Sequence, residues 1–176
     1  MPGLPSSWTI LRMRPRRYLT WTPPPGSGDP RLGLVVTSAG MFWACDHAVV
    51  DRTRDDHLLL HCRDGHGRVR VSHYVHELQA GELYWAPPGL AHDYVSDPHD
   101  GWDICWVHFH GGQALALAAY AGLDAAAPVR PFPAEGEVAS GLTDICAILR
   151  SRSLTAGAEA ALRLHRLLAG LGIQDR

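Results

Sequence analysis

The sequence predicts a mainly antiparallel β domain, a sandwich or barrel, followed by amphipathic α-helices. Short apolar runs separated by turn residues recur from Leu32 to Phe109. No gap between these runs can hold a crossover helix, so the strands pair antiparallel. After Gly112 the apolar period changes from two residues to three and four, which is helical.

Strands are predicted at Leu34–Ser38, His47–Asp51, His57–Cys62, Arg68–Val71, Tyr74–Leu78, Glu82–Ala86, His92–Val95 and Asp103–Phe109. Asp64-Gly65, Ala80-Gly81 and Pro87-Pro88-Gly89 supply turns between them. Before the strands, Pro23-Pro24-Pro25-Gly26-Ser27-Gly28 punctuates an extended arm, which Trp8, Ile10, Tyr18, Leu19 and Trp21 would dock on the barrel. Arg12, Arg14, Arg16 and Arg17 cluster in that arm and read as a solvated, mobile charge run in preference to a DNA contact.

A short helix is expected at Gln113–Ala121, then an irregular Pro-containing stretch through Pro133. Val138, Leu142, Ile145, Cys146 and Leu149 line one face of the next helix. Thr155 is a candidate N-cap for the last helix, whose apolar face is Leu164, Leu167, Leu168 and Leu171. Periodicity leaves two roles open for these helices: capping the barrel or pairing with a second subunit. The chain thus divides into an arm over 1–31, a β-barrel over 32–111 and a helical region over 112–176.

With 176 residues, 46% hydrophobic and 19% charged, the composition fits one ordinary globular domain with helical additions. A net charge of -2 argues against a dedicated nucleic-acid binder. No apolar run approaches the ~20 residues that span a bilayer, and no signal-peptide pattern opens the chain. Cys45, Cys62, Cys105 and Cys146 stand singly among apolar residues with no C-x-x-C pair, as expected of buried free thiols in a reducing cytoplasm.

The most informative segment is Gly81-Glu-Leu-Tyr-Trp-Ala-Pro87-Pro-Gly89-Leu-Ala-His92, which reads G-x5-P-x-G-x2-H. Gly81 permits a tight entry turn, Pro87 ends a strand because it cannot donate to the ladder, and Gly89 suits a positive φ. His92 then opens the next strand, where an inward ring enters the lumen. This segment resembles the second signature of the cupin superfamily, so the resemblance implies a cupin-type antiparallel barrel, or jelly roll. In metal-binding cupins that histidine joins an upstream H-x-H-x3,4-E set. Here the corresponding stretch, Asp51-Arg52-Thr53-Arg54-Asp55-Asp56-His57, carries arginines, which do not ligate metals. No metal and no cofactor are therefore expected.

The wider block narrows the resemblance. Arg52-Thr-Arg-Asp-Asp-His-Leu precedes the motif, His92-Asp-Tyr94 closes it, and Gly101-Trp102-Asp-Ile-Cys-Trp106-Val-His108-Phe109 follows. From Gly33 to Gly111 the sequence resembles the effector-binding domain of AraC-type transcription regulators, and the later helices fit that family's dimerisation region more loosely. The resemblance implies a cytoplasmic, non-enzymatic sensor of a small molecule that forms a homodimer through its C-terminal helices. DNA would be contacted through a helix-turn-helix pair that 176 residues leave no room for, so the chain is expected to be a fragment of the regulator. Carried over from the family's arabinose-responsive member, Arg52, Tyr94 and Trp106 match sugar-pocket positions. Phe42 and Ile104 replace a hydroxyl residue and an imidazole, so the effector is expected to be a sugar or polar metabolite poorer in hydroxyls than arabinose.

Chemistry supports such a pocket independently. Arg52 offers a fork of donors for carboxylates, phosphates or paired hydroxyls. Trp102 and Trp106, four residues apart on a strand, present flat faces to one side, and His92 completes the effector set. The competing structural reading makes both tryptophans plain core and pairs Arg52 with Asp55 or Asp56. A second functional reading, a metal-dependent cupin isomerase or dioxygenase, needs further ligands converging on His92. His57 and His61 share one strand face, as do His108 and His110; each is expected to be a satisfied or surface group, and His66, His73 and His99 to be solvated.

Overall fold

The computed structural model describes residues 17–44, 46–131 and 135–174; expectations for Trp8, Ile10, Arg12, Arg14, Arg16 and Cys45 lie outside them. Among the described residues the strands are β1 (Arg17–Trp21), β2 (Val35–Ala44), β3 (Ala48–Arg52), β4 (His57–Val71), β5 (Tyr74–Gln79), β6 (Glu82–Ala86), β7 (His92–Ser96), β8 (Trp102–His110) and β9 (Val129–Pro131). The helices are α1 (Ala114–Tyr120), α2 (Glu135–Ser151) and α3 (Ala156–Gln174). All strand pairings are antiparallel. One layer runs β1-β2-β8-β4-β6-β9, and the other is formed by β3, β7, β4 and β5. The predicted fold class, a β-barrel followed by amphipathic helices, is the fold observed.

Strand β4 belongs to both layers, which corrects the expected turn at Asp64-Gly65. The chain does not reverse there. Its first half pairs with β6 and β8 and its second half with β5 and β7, with a register shift between Cys62 and Asp64. Gly65 adopts φ 73° against the Gly101 backbone, where a Cβ would lie 2.2 Å from the Gly101 oxygen. The strand therefore bends across the barrel corner, as bulged strands do. The reversal instead falls at Ser72-His73, with Ser72 at φ 55° and no glycine to signal it. Two smaller differences follow the same pattern of tertiary pairing. The stretch through Pro133, expected to be irregular, contains β9 on the edge of β6, and β2 extends to Ala44 because β8 pairs with it throughout.

Alternation along the shared layer separates two apolar clusters. Phe42, Leu58, Leu60, Tyr84, Trp102 and Ile104 face inward and meet Val69, Val71, Leu78 and Tyr94 of the other layer. Leu59, Trp85, Cys105, Val107 and Phe109 face outward and meet Val138, Leu142, Ile145 and Leu149 of α2 and Leu164, Leu168 and Leu171 of α3. Burying a leucine side chain contributes about 1.5–3 kcal/mol, so the helical stripes hold the two helices to the barrel. Of the two roles left open for those stripes, capping is the one their buried faces perform.

The Pro/Gly/Ser stretch is fixed to this helical layer. Ser27 Oγ accepts from Gly157 N at 3.2 Å, and the Ser27 carbonyl accepts from Ala158 N at 2.8 Å. Both satisfy free N–H groups in the first turn of α3. Thr155 supplies the carbonyl for Glu159 N, while its hydroxyl donates to the Glu159 carboxylate at 2.5 Å.

Candidate functional site

On β8, residues 102, 104, 106 and 108 share one face, so Trp102, Ile104, Trp106 and His108 all point into the lumen. Two glycines make room for the indoles. A Cβ on Gly40 would lie 2.6 Å from Trp106, and one on Gly67 would lie 2.4 Å from Trp102. On β7 the same parity turns His92 and Tyr94 inward and Asp93 and Val95 outward. Phe42 comes from β2 and stacks on His47 with ring centroids 3.9 Å apart.

Arg52 reaches the lumen through a local irregularity. The β3–β7 register shifts between Val49 and Arg52, and Asp51 adopts φ 51°, held by its N–H donating to Asp93 Oδ1 at 2.6 Å. A bulge of this kind re-aims the following side chain. Arg52 Nη1 then donates to Tyr94 Oη at 3.1 Å, and Nη2 donates to His108 Nε2 at 3.1 Å.

A polar chain continues from there to the barrel mouth. His108 Nδ1 lies 3.1 Å from Asp56 Oδ1, and Asp56 also accepts from Thr37 Oγ1 at 2.8 Å and from Arg54 at 2.7 and 2.9 Å. These partners assign the His108 tautomer: Nδ1 donates to the carboxylate, leaving Nε2 as acceptor for Arg52. Burial pushes the His108 pKa down to about 4, with Arg52 and Arg54 opposing the pull of Asp56, so the ring is neutral at pH 7. Burial works to raise the Asp56 carboxyl, but the Arg54 and Thr37 hydrogen bonds and His108 outweigh it and hold it at about 2.

The structure therefore brings all seven predicted residues, Arg52, Tyr94, Trp106, His92, Trp102, Phe42 and Ile104, to one lumen. It also revises how they are used. Asp56 pairs with Arg54, not with Arg52. Trp102 is buried with its Nε1 donating to His47 Nδ1 at 3.3 Å, and Ile104 is fully buried, so both also serve as core. His57 and His61 share the helix-facing side, not the lumen; His57 is stacked between Trp85 and Phe109. Sequence reading missed Asp56, His47 and Tyr84 as members of the site. It left His108 as an ordinary satisfied group, although strand parity with Trp106 places it beside Arg52.

Among the described residues, two polar atoms in the lumen lack a partner. Tyr84 Oη and His92 Nε2 are buried and unbonded, with their rings 5.7 Å apart. Burial raises the Tyr84 hydroxyl pKa and lowers that of His92. A catalytic metal at His92 does not fit this donor set: the ring's neighbours are two phenols and a guanidinium. Among the described residues the side chains converging as three metal-type donors are His66, Asp97 and Asp100, at the loop after β7.

Residues 42–168 match the family described as the AraC-like ligand binding domain. The chain belongs to this family. The match reaches past the barrel through α2 and most of α3, so the helices are an integral part of the AraC-like domain. The chain is 38% identical over 94 residues to the MmsAB operon regulatory protein of Pseudomonas aeruginosa, a match covering 51% of this chain and 31% of that protein. The chain thus matches about a third of that regulator's length. Solved structures similar to it include a mutant of Bacillus subtilis oxalate decarboxylase, at 16% identity and TM-score 0.38, covering 45% of this chain and 22% of that one. Another is the Clostridium difficile EutQ protein, at 17% identity and TM-score 0.37, covering 43% and 56%. Among the described residues no helix is long and apolar enough to cross a membrane.

Proposed function

We propose that this AraC-like domain is the sensing module of a cytoplasmic transcription regulator, binding a small polar metabolite in the barrel lumen and acting by binding, not by catalysis. Arg52 carries this reading. It is a partly buried cation turned inward by a bulge, and its bonded partners, Tyr94 and neutral His108, carry no charge. A cation removed from water calls for an anion or a set of acceptors. Around it, Trp106, Trp102, Phe42 and Ile104 supply the apolar walls typical of a ligand site. His92 and Tyr94 supply orienting polar groups.

The regulator reading rests on family membership and on the regulatory relative. DNA contact belongs to a helix-turn-helix part outside this chain, and the domain pairs with a second copy through its C-terminal helices. The stripes that pack on the barrel are buried, so pairing falls to the opposite side, where Leu162 and Ile173 are exposed and eleven residues apart on one face of α3.

A thermal-shift screen of sugars and small organic acids tests the sensor. At least one compound raises the melting temperature of the native protein, and Arg52→Ala abolishes that shift while keeping the β-rich circular dichroism spectrum. An unchanged shift in Arg52→Ala removes the lumen from consideration. Sedimentation of Leu162→Glu/Ile173→Glu reports on pairing; a dimer that survives both charges lies on another surface.

A further inference from the structure

Resting on the lumen-sensor reading, we propose that the site is built for a small hydroxycarboxylate, with its carboxylate on Arg52 and its hydroxyl between His92 Nε2 and Tyr84 Oη.

Two independent features point to the two ligand groups. The first is the unpartnered pair. His92 Nδ1 lies 2.8 Å from the Leu90 carbonyl oxygen and so must carry the proton and donate. Its Nε2 is then a bare acceptor, buried at 5% exposure with no partner. Tyr84 is fully buried, and its Oη–H is a donor with no partner. A single hydroxyl satisfies both, donating to His92 Nε2 and accepting from Tyr84. Leaving each atom unmet is costly, so the pair selects for a group with both capacities.

The second feature is charge. Arg52 carries five N–H donors, of which one meets a phenol and one a neutral imidazole. The carboxylate that its hydrogen-bond network reaches, Asp56, lies beyond His108 and is already engaged by Arg54, Thr37 and His108. Among the described residues, Arg52 is thus a lumen cation without a directly bonded anion. A carboxylate matches it by charge and by the planar geometry of the guanidinium fork.

Geometry sets the size. Arg52 Nη1 lies 3.1 Å from the Tyr94 hydroxyl, and the Tyr94 ring stacks on that of His92 with centroids 6.0 Å apart. The two ligand groups are therefore separated by only a few bonds, as in a 2- or 3-hydroxy acid. The remaining walls argue against a sugar. Leu60, Ile104, Phe42 and Val49 offer no hydrogen bonds to the further hydroxyls of a pentose or hexose, which would be buried unmet.

Calorimetric titration of the full chain decides the matter with lactate and 3-hydroxybutyrate as ligands. Butyrate, 3-hydroxybutyramide, arabinose and glucose serve as controls. At least one hydroxy acid binds roughly tenfold or more tighter than butyrate and the amide. Tyr84→Phe loses the preference for the hydroxy acid over butyrate but keeps butyrate binding, which also shows that the variant is folded. Arg52→Gln loses the preference for the acid over the amide. Equal affinity for butyrate and 3-hydroxybutyrate, or a hydroxyl preference that persists in Tyr84→Phe, overturns the assignment. If arabinose or glucose binds, Arg52→Gln abolishes it and neither acid binds, the hydroxy-acid class falls and the lumen sensor stands. If no compound of either class binds, both readings fall.

Discussion

Replacing His61 with leucine is expected to stabilise the protein and to flatten part of its acid sensitivity. His61 lies on β4 between Leu83 and Cys105 of the flanking strands, on the face that α2 and α3 cover. It is 2% exposed, and neither ring nitrogen has a partner. An unsatisfied buried polar group costs about 1–3 kcal/mol, and leucine fills similar space without one. At pH 7 the variant gains about that much, or roughly 2–4 °C in melting temperature for each kcal/mol. Burial, with Arg63 nearby, pushes the His61 pKa from the usual 6.5 down to about 4. A histidine with a depressed folded-state value takes up its proton first in the unfolded chain. Its stabilising contribution is therefore complete above 6.5 and is lost as pH falls from there to about 4. Between pH 7 and pH 5 this amounts to about 2 kcal/mol. Urea unfolding at those two pH values measures it: the native protein loses more stability than His61→Leu, by about 2 kcal/mol. Equal losses in the two proteins, or a variant less stable at pH 7, would refute the account of an unpartnered neutral ring.

Other substitutions probe the remaining supports. Asp56→Asn takes the anion from Arg54 and His108 and is expected to cost about 3 kcal/mol by urea unfolding, the low end for a broken buried pair because Arg54 still reaches water. Gly40→Ala places a Cβ 2.5 Å from the Leu19 oxygen and 2.6 Å from Trp106, with an overpacking cost of about 1–3 kcal/mol and a change in Trp fluorescence. Ser27→Ala removes the hydroxyl that meets Gly157 N and is expected to lower stability by about 0.5–2 kcal/mol, with faster amide exchange at the start of α3.

Much of the site was legible because strand parity is a local rule. Trp102, Ile104 and Trp106 share a face on any strand that contains them, and the Gly81–His92 motif places His92 at the head of the next. Arg52 was identified from its place in a motif, whereas its inward orientation depends on a bulge at Asp51 that no residue type announces. Tyr84 was invisible as a site residue because an aromatic in a strand packs in the core far more often than it offers a hydroxyl to a ligand. The competing pairing of Arg52 with Asp55 or Asp56 fails because Asp56 is taken by Arg54, and sequence proximity does not fix which side chains turn inward.

Sequence periodicity alone determined the antiparallel strands, the two helices with apolar stripes, and the shared face of Trp102 and Trp106 on β8, because all three follow from backbone repeat and residue size. Only the tertiary structure decided that β4 passes unbroken through Asp64-Gly65, that Ser27 serves the start of α3, and that the helical stripes lie on the barrel. It also decided the chain of contacts from Arg54 through Asp56 and His108 to Arg52 and Tyr94, and the two unmet polar atoms beside it. Those features join residues far apart in the chain through hydrogen bonds and close approaches, and such contacts are properties of the packed molecule, not of any segment of it.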